Sequence, residues 1–196
     1  MEIAPLIALF TGIVALVGGG SLVGLVSTKF RAVGLIVASF VVQFTFVAWP
    51  PEWLTRTSAL FVLLAAQIAV GVFLLLNRRL PGAAIMLIGL GLNLVVVVAN
   101  QSMPVAEWAA RAAGTEYLTD ERHVAHGLHL RNEVLDEDTI FPWLSDVIPL
   151  PVVKQVASFG DIVIAFGMAR LVYVRMKSIE ADTDLGVAAP RTTPAS

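Results

Sequence analysis

Residues 82–100 read GAAIMLIGLGLNLVVVVAN, an apolar run without a single charge. A helix needs about 20 such residues to cross the hydrocarbon core of a bilayer, so this stretch predicts a membrane-crossing helix. Four neighbours repeat the pattern, at 3–26, 32–49, 58–76 and 158–174. The first contains Gly18, Gly19 and Gly20, where a bend is expected, with a short interfacial piece after it. The last is shorter and carries Asp161 and Arg170. Glu2 follows Met1 with no basic residue ahead of the first run, which is therefore read as a span rather than a cleaved signal peptide.

Composition points the same way. Of the 196 residues, 57% are hydrophobic and only 14% are charged. Mean hydropathy is +0.82. A soluble domain usually has about 25% charged residues, so this composition argues against a soluble enzyme and against a disordered chain. A net charge of −2 leaves no basic footprint for nucleic acid. There is no cysteine, which excludes disulfides, thiol catalysis and cysteine-ligated metals. The fold class read from these features is all-α: a polytopic membrane helix bundle of about five transmembrane helices with a partly helical external loop.

Basic residues orient the spans. Lys29 and Arg31, then Arg78 and Arg79, then Arg175 and Lys177 fall in alternate connections, while the opposite side has only Arg56 in its short loop. The N-terminus is therefore expected outside and the C-terminus in the cytoplasm. The tail 178–196, rich in Ala, Pro and Thr, is expected to be disordered.

The segment 101–157 is an external loop, and loops of this length usually fold or function. Its nine acids against four bases, a net of −5, suit the outer side. Ser102 can cap a helix over 103–113, with Pro104 in its first turn, Glu107 near its N-terminal dipole and Gly114 ending it. Val105, Trp108 and Ala112 would share one side of that helix. A second short helix can start at Thr119. Phe141, Trp143 and the apolar residues around them predict that 140–153 lies on the membrane surface.

Several motifs carry a family resemblance. Asn100-Gln101-Ser102-Met103-Pro104-Val105 follows a span that opens with Asn77-Arg78-Arg79-Leu80-Pro81-Gly82. Leu144-Ser145-Asp146-Val147-Ile148-Pro149 and Ser158-Phe159-Gly160-Asp161-Ile162 come later. Together they resemble a family of uncharacterised bacterial membrane proteins, domain of unknown function 5317. That family shows Asn-Gly-Gly-x-Met-Pro-Val, Leu-Gly-Asp-x-Ile-Pro and Ser-x-Gly-Asp; here Gln101 and Ser102 stand for two glycines and Ser145 for a third. The resemblance implies a bacterial plasma-membrane location and no particular activity.

Polar groups inside apolar spans are the candidates for function, because lipid penalises them. Gln43, Gln67, Asn93, Asn100 and Asp161 all fall between the outer surface and the midplane. Asn93 and Asn100 share a helix face that Gly82, Met86 and Gly89 continue, and small residues there permit close helix contact. These groups, with Ser158, are either the walls of an outward-facing polar pocket or amides and hydroxyls bonding across helices. For Asp161 the structural reading is an N-terminal helix residue supplied with donors by Ser158 and the Gly160 amide; the functional one is a proton or ligand site. Asn100 is expected to bond the turn that Met103 and Pro104 initiate.

His123, His126 and His129 are metal candidates, with Glu133 as a possible fourth ligand. Their spacing is not the i, i+4 of a helical zinc pair, and Gly127 interrupts a helix. Asp136, Glu137 and Asp138 lack calcium-loop spacing and read as a solvated charge run. Gly18-Gly19-Gly20 lacks the Lys-Ser/Thr of a phosphate loop, and no nucleophile elbow is present. No cofactor is expected, no catalytic residue is assigned, and the reading leans against an enzyme. It favours a non-enzymatic membrane module that binds a partner protein or lipid through its outer loop. A small-solute or lipid carrier and an enzyme acting on a lipid-linked substrate are the alternatives. The expected partners are membrane lipid and either another membrane protein or further copies of this chain, with no nucleic acid.

Overall fold

The computed structural model describes residues 11–48, 55–115 and 132–184. The chain is predominantly helical. A helix over 11–17 (α1) stops at Gly18–Gly20, and Leu22–Val26 (α2) follows, capped by the Ser21 side chain. The first expected span is thus broken where its three glycines predicted a bend. The Ser21 amide donates to the Met176 carbonyl at 2.8 Å, which holds this reversal against the far end of the chain.

Three long apolar helices come next: Val33–Ala48 (α3), Arg56–Leu76 (α4) and Ala83–Asn100 (α5). Thr55 and Ser58 start α4 with a reciprocal capping box that satisfies two otherwise orphan amides. The turn 77–82 then folds α5 back onto α4. The last long helix, Phe159–Asp184 (α7), follows a short helix Glu107–Ala113 (α6). α7 runs into the stretch expected to be a disordered tail, so that expectation fails for 178–184; residues beyond 184 lie outside those described.

Among the described residues two helices are long and apolar enough to cross a membrane, Thr57–Leu76 and Ala83–Asn100. This is fewer than the five spans expected. The apolar part of α3 covers only Val33–Thr45, too short by that measure. α7 has the length, but Asp161, Arg170, Arg175 and Lys177 interrupt its apolar run. The break at Gly18–Gly20 shortens the first candidate.

α5 and α7 form the tightest contact in the bundle, antiparallel and backbone to backbone. Gly82 faces Gly167, and Gly89 faces Gly160, seven residues on along each helix. A Cβ on Gly89 would stand 2.6 Å from the Gly160 carbonyl oxygen, inside any tolerable contact. Gly82 also has φ +85°, a left-handed conformation that glycine adopts without strain. Around this seam Phe73, Leu74, Met86, Leu90 and Ile164 form the main core.

The described residues between α5 and α7, 101–115 and 132–158, form a folded cap. Met103–Val105 (β1) pairs in parallel with Asn132–Val134 (β2), and Ile148–Leu150 (β3) pairs antiparallel with Gln155–Ala157 (β4). α6 packs across β3 and β4 through Ala109, Ala110 and Ala113, with Val105 and Val156 in the same cluster. The helix expected over 103–113 therefore begins four residues late. Met103, Pro104 and Val105 are extended because their backbone pairs with β2 and with Asp146. Gly114 ends α6 in a left-handed conformation, as expected. Trp108, 61% exposed, and Ala112 do share the exposed side of α6, while Val105 lies in β1 and the small alanines face inward. The expected helix from Thr119 lies outside the described residues.

Candidate functional site

The cap end of the α5–α7 seam holds a ring of three buried polar side chains. Ser158 precedes the first turn of α7, and its Oγ accepts from the Asp161 amide at 3.0 Å. Asp161 Oδ2 in turn accepts from the Ser158 amide at 3.4 Å, completing a capping box with Asp at its third position. Asn93, on α5, closes the ring across the interface. Its Nδ2 donates to Asp161 Oδ1 at 2.9 Å, and its Oδ1 accepts from Ser158 Oγ at 2.9 Å. Asn93, Ser158 and Asp161 are all buried.

Gly160 makes this ring possible. A Cβ there would collide with Asn93 Oδ1 and stand 2.6 Å from the Gly89 carbonyl. The motif Ser158-Phe159-Gly160-Asp161 therefore has a division of labour. Ser158 caps α7, Gly160 lets α5 approach, and Asp161 satisfies the cap amide while accepting from α5. Asp161 sits opposite Asn93, about 10 Å deeper along α5 than Asn100 by helical rise.

Asn100 does something else. Its Nδ2 donates to the carbonyls of Val96 and Ile140, each at 2.9 Å, and its Oδ1 accepts from the Ile140 amide at 2.8 Å. The side chain imitates a strand partner for Ile140 and pins the cap to α5. This corrects the expectation that it serves the Met103–Pro104 turn. Ser102 likewise caps no helix: its Oγ donates to Glu133 Oε2 at 3.0 Å and to the Asn100 carbonyl at 3.4 Å. Gln101 between them takes a left-handed conformation, φ 57°, at the C-cap of α5.

The same clamp occurs at the opposite end of the bundle, at a residue the sequence did not single out as functional. Asn77 Nδ2 donates to the Phe73 carbonyl at 2.8 Å and to the Arg31 carbonyl at 2.9 Å, and its Oδ1 accepts from the Arg31 amide at 2.8 Å. Both asparagines end a long helix, bond the carbonyl four residues back, and hold a distant backbone amide and carbonyl together. An Asn at the end of the 58–76 and 82–100 runs, and of no other, was the signal available.

The chain belongs to a family of unknown function, DUF5317. The family profile matches residues 27–173, from the start of the Arg31 loop through most of α7. No curated protein and no solved structure matches the chain. Within the family match lie both asparagine clamps, the buried ring and the whole cap.

The remaining candidates separate from the ring. Gln67 is buried on α4 and Gln43 is half-buried on α3, and neither is a member of it. His123, His126 and His129 lie outside the described residues. Among the described residues no group of three acids or histidines is arranged to hold a metal. A smaller cavity of about 210 Å³ beside Asn100 is lined by Glu133, Asp136, Asp138 and Thr139. Asp136 Oδ1 there accepts from the Thr139 hydroxyl and the Asp138 amide, an internal turn.

Proposed function

We propose that this protein is a non-enzymatic, multi-pass module of a bacterial plasma membrane, with its cap outside, that docks a partner protein through the cap. On this reading the chain crosses the bilayer about five times, N-terminus out and C-terminus in, with the first apolar run 3–26, α3 and α7 as crossings in addition to α4 and α5. Exposed side chains such as Phe44, Phe61, Ile68, Ile88 and Phe166 support membrane placement, since apolar surface on this scale needs lipid or a partner.

The carrying observation is the cap: it is folded, it is pinned to the bundle by Asn100, and it presents large apolar side chains outward. Phe141 and Trp143 meet edge to face, with centroids 6.4 Å apart, and Trp143 is 66% exposed. They flank Ile140 at the end of α5 and suit the headgroup layer. Trp108, on α6, is exposed beside the Glu107–Arg111 ion pair and suits a protein partner, because tryptophan supplies much contact area per residue. Asn93 bonds both Ser158 and Asp161 across the α5–α7 interface, a helix-joining arrangement that favours a docking module.

A photo-crosslinking amino acid at position 108, in intact cells, tests this. The expected product is one discrete protein adduct that disappears when Asn100→Ala releases the cap. Adducts to lipid alone would refute the docking role. Labelling of a cysteine at position 125, and not at 78, by an impermeant thiol reagent checks the orientation.

A further inference from the structure

The helices form an open row. α3 packs on α4, α4 on α5 and α5 on α7, while no extensive packing joins α3 to α7. Between them lies a cleft of about 390 Å³ whose lining includes Phe30, Val33, Phe73, Met86, Ile164 and Leu171. Every lining side chain is apolar. The volume falls in the range of about 300–1,000 Å³ common for small-ligand sites. A polar solute entering it would lose its hydration without gaining a side-chain hydrogen bond. A hydrocarbon chain would not. Val33 and Phe40, on the α3 wall, are half-exposed, so the cleft opens sideways.

One end of this cleft is strongly basic. Phe30 stacks on Phe73 there, with centroids 6.2 Å apart. Lys29 and Arg31 flank Phe30, and Arg78 and Arg79 follow α4 directly. These two pairs are far apart in sequence, and the Asn77 clamp on the Arg31 backbone brings them together. The antiparallel Gly82–Gly167 contact also sets Arg170, on α7, at about the level of Arg79. All five cations are exposed, and within the described residues none makes an ion pair.

We propose that this cleft binds an anionic phospholipid. One acyl chain lies between α3 and α7, and the phosphate meets the cations around Arg31, Arg78 and Arg79. Charge complementarity selects the anionic headgroup, as basic pockets between membrane helices do elsewhere. The proposal rests on the membrane placement above and is independent of the cap's partner.

The test is native mass spectrometry of the full chain, extracted in detergent and offered palmitoyl-oleoyl phosphatidylglycerol or phosphatidylcholine. The expected result is an adduct with phosphatidylglycerol favoured at least about fivefold over phosphatidylcholine, which carries the same chains. The combined Arg31→Gln, Arg78→Gln and Arg79→Gln variant, changed only at exposed side chains, removes that preference. Val33→Trp, which fills the cleft mouth, lowers adducts of both lipids. Equal binding of the two lipids by the native chain, or a preference that survives the arginine substitutions, overturns the proposal whether or not Val33→Trp folds. A chain released from membranes by alkaline carbonate overturns the membrane placement as well. A chain that resists carbonate but shows no preference overturns the lipid site alone.

Discussion

Replacing Gly160 with alanine tests the α5–α7 seam most directly. In an ordinary helix interior this change stabilises by about 1 kcal/mol, because alanine has the higher helix propensity. At Gly160 the new methyl group would meet three atoms of α5: Asn93 Oδ1, Asn93 Cγ at 2.7 Å and the Gly89 carbonyl oxygen at 2.6 Å. The carbonyl belongs to a helix backbone and cannot rotate away. The helices must separate, at a cost of about 1–3 kcal/mol for overpacking. If Asn93 is displaced, the bonds to Ser158 and Asp161 break inside a buried site, at about 1–3 kcal/mol for each group left unsatisfied. Net destabilisation of about 2–5 kcal/mol follows once the propensity gain is set against these terms. Gly91, on the same α5, is the internal control, since a Cβ there has nothing within 4 Å. Gly91→Ala should be neutral or stabilising by up to about 1 kcal/mol. Both variants are measured by equilibrium unfolding in mixed micelles, followed by circular dichroism. Equal effects of the two substitutions would refute the close-packed seam and the ring built on it.

Two further substitutions probe the polar groups. Asp161→Asn keeps an acceptor for Asn93 but turns an amide group toward the Ser158 N–H, where the native bond is already long at 3.4 Å; a loss of about 1–2 kcal/mol is expected in the same unfolding assay. Asp161→Ala leaves both donors unanswered and should cost more, about 2–4 kcal/mol, so an Ala variant no worse than Asn would show that the ring does not hold the helices. Gln101→Gly should raise stability by about 1 kcal/mol, because Gln101 takes a left-handed backbone that a side chain disfavours and that no side-chain bond among the described residues repays; an unchanged or lower unfolding midpoint contradicts this.

Hydrophobic run length alone marked out α4 and α5, since period and apolarity are local properties of the chain. The bend at Gly18–Gly20, the end of α6 at Gly114 and the small-residue stripe Gly82, Met86, Gly89 on α5 were legible for the same reason. The place of Asp161 in the first turn of a helix was legible too, but Ser158 is the cap, and it is the Ser158 amide rather than that of Gly160 that donates to Asp161. What met the stripe was not legible. That Gly160 and Gly167 complete it, and that Asn93 closes on Ser158 and Asp161, depends on two segments more than sixty residues apart settling into one antiparallel register. The strand at Met103–Val105 was hidden too. Its residues accept a helical reading locally, and only pairing with β2 and Asp146, brought there by the folded cap, makes the extended backbone the better-satisfied one. The two asparagine clamps show the limit most plainly. The sequence places an Asn at the end of the runs that become α4 and α5, but the backbone each one holds, at Arg31 or at Ile140, is chosen by tertiary packing.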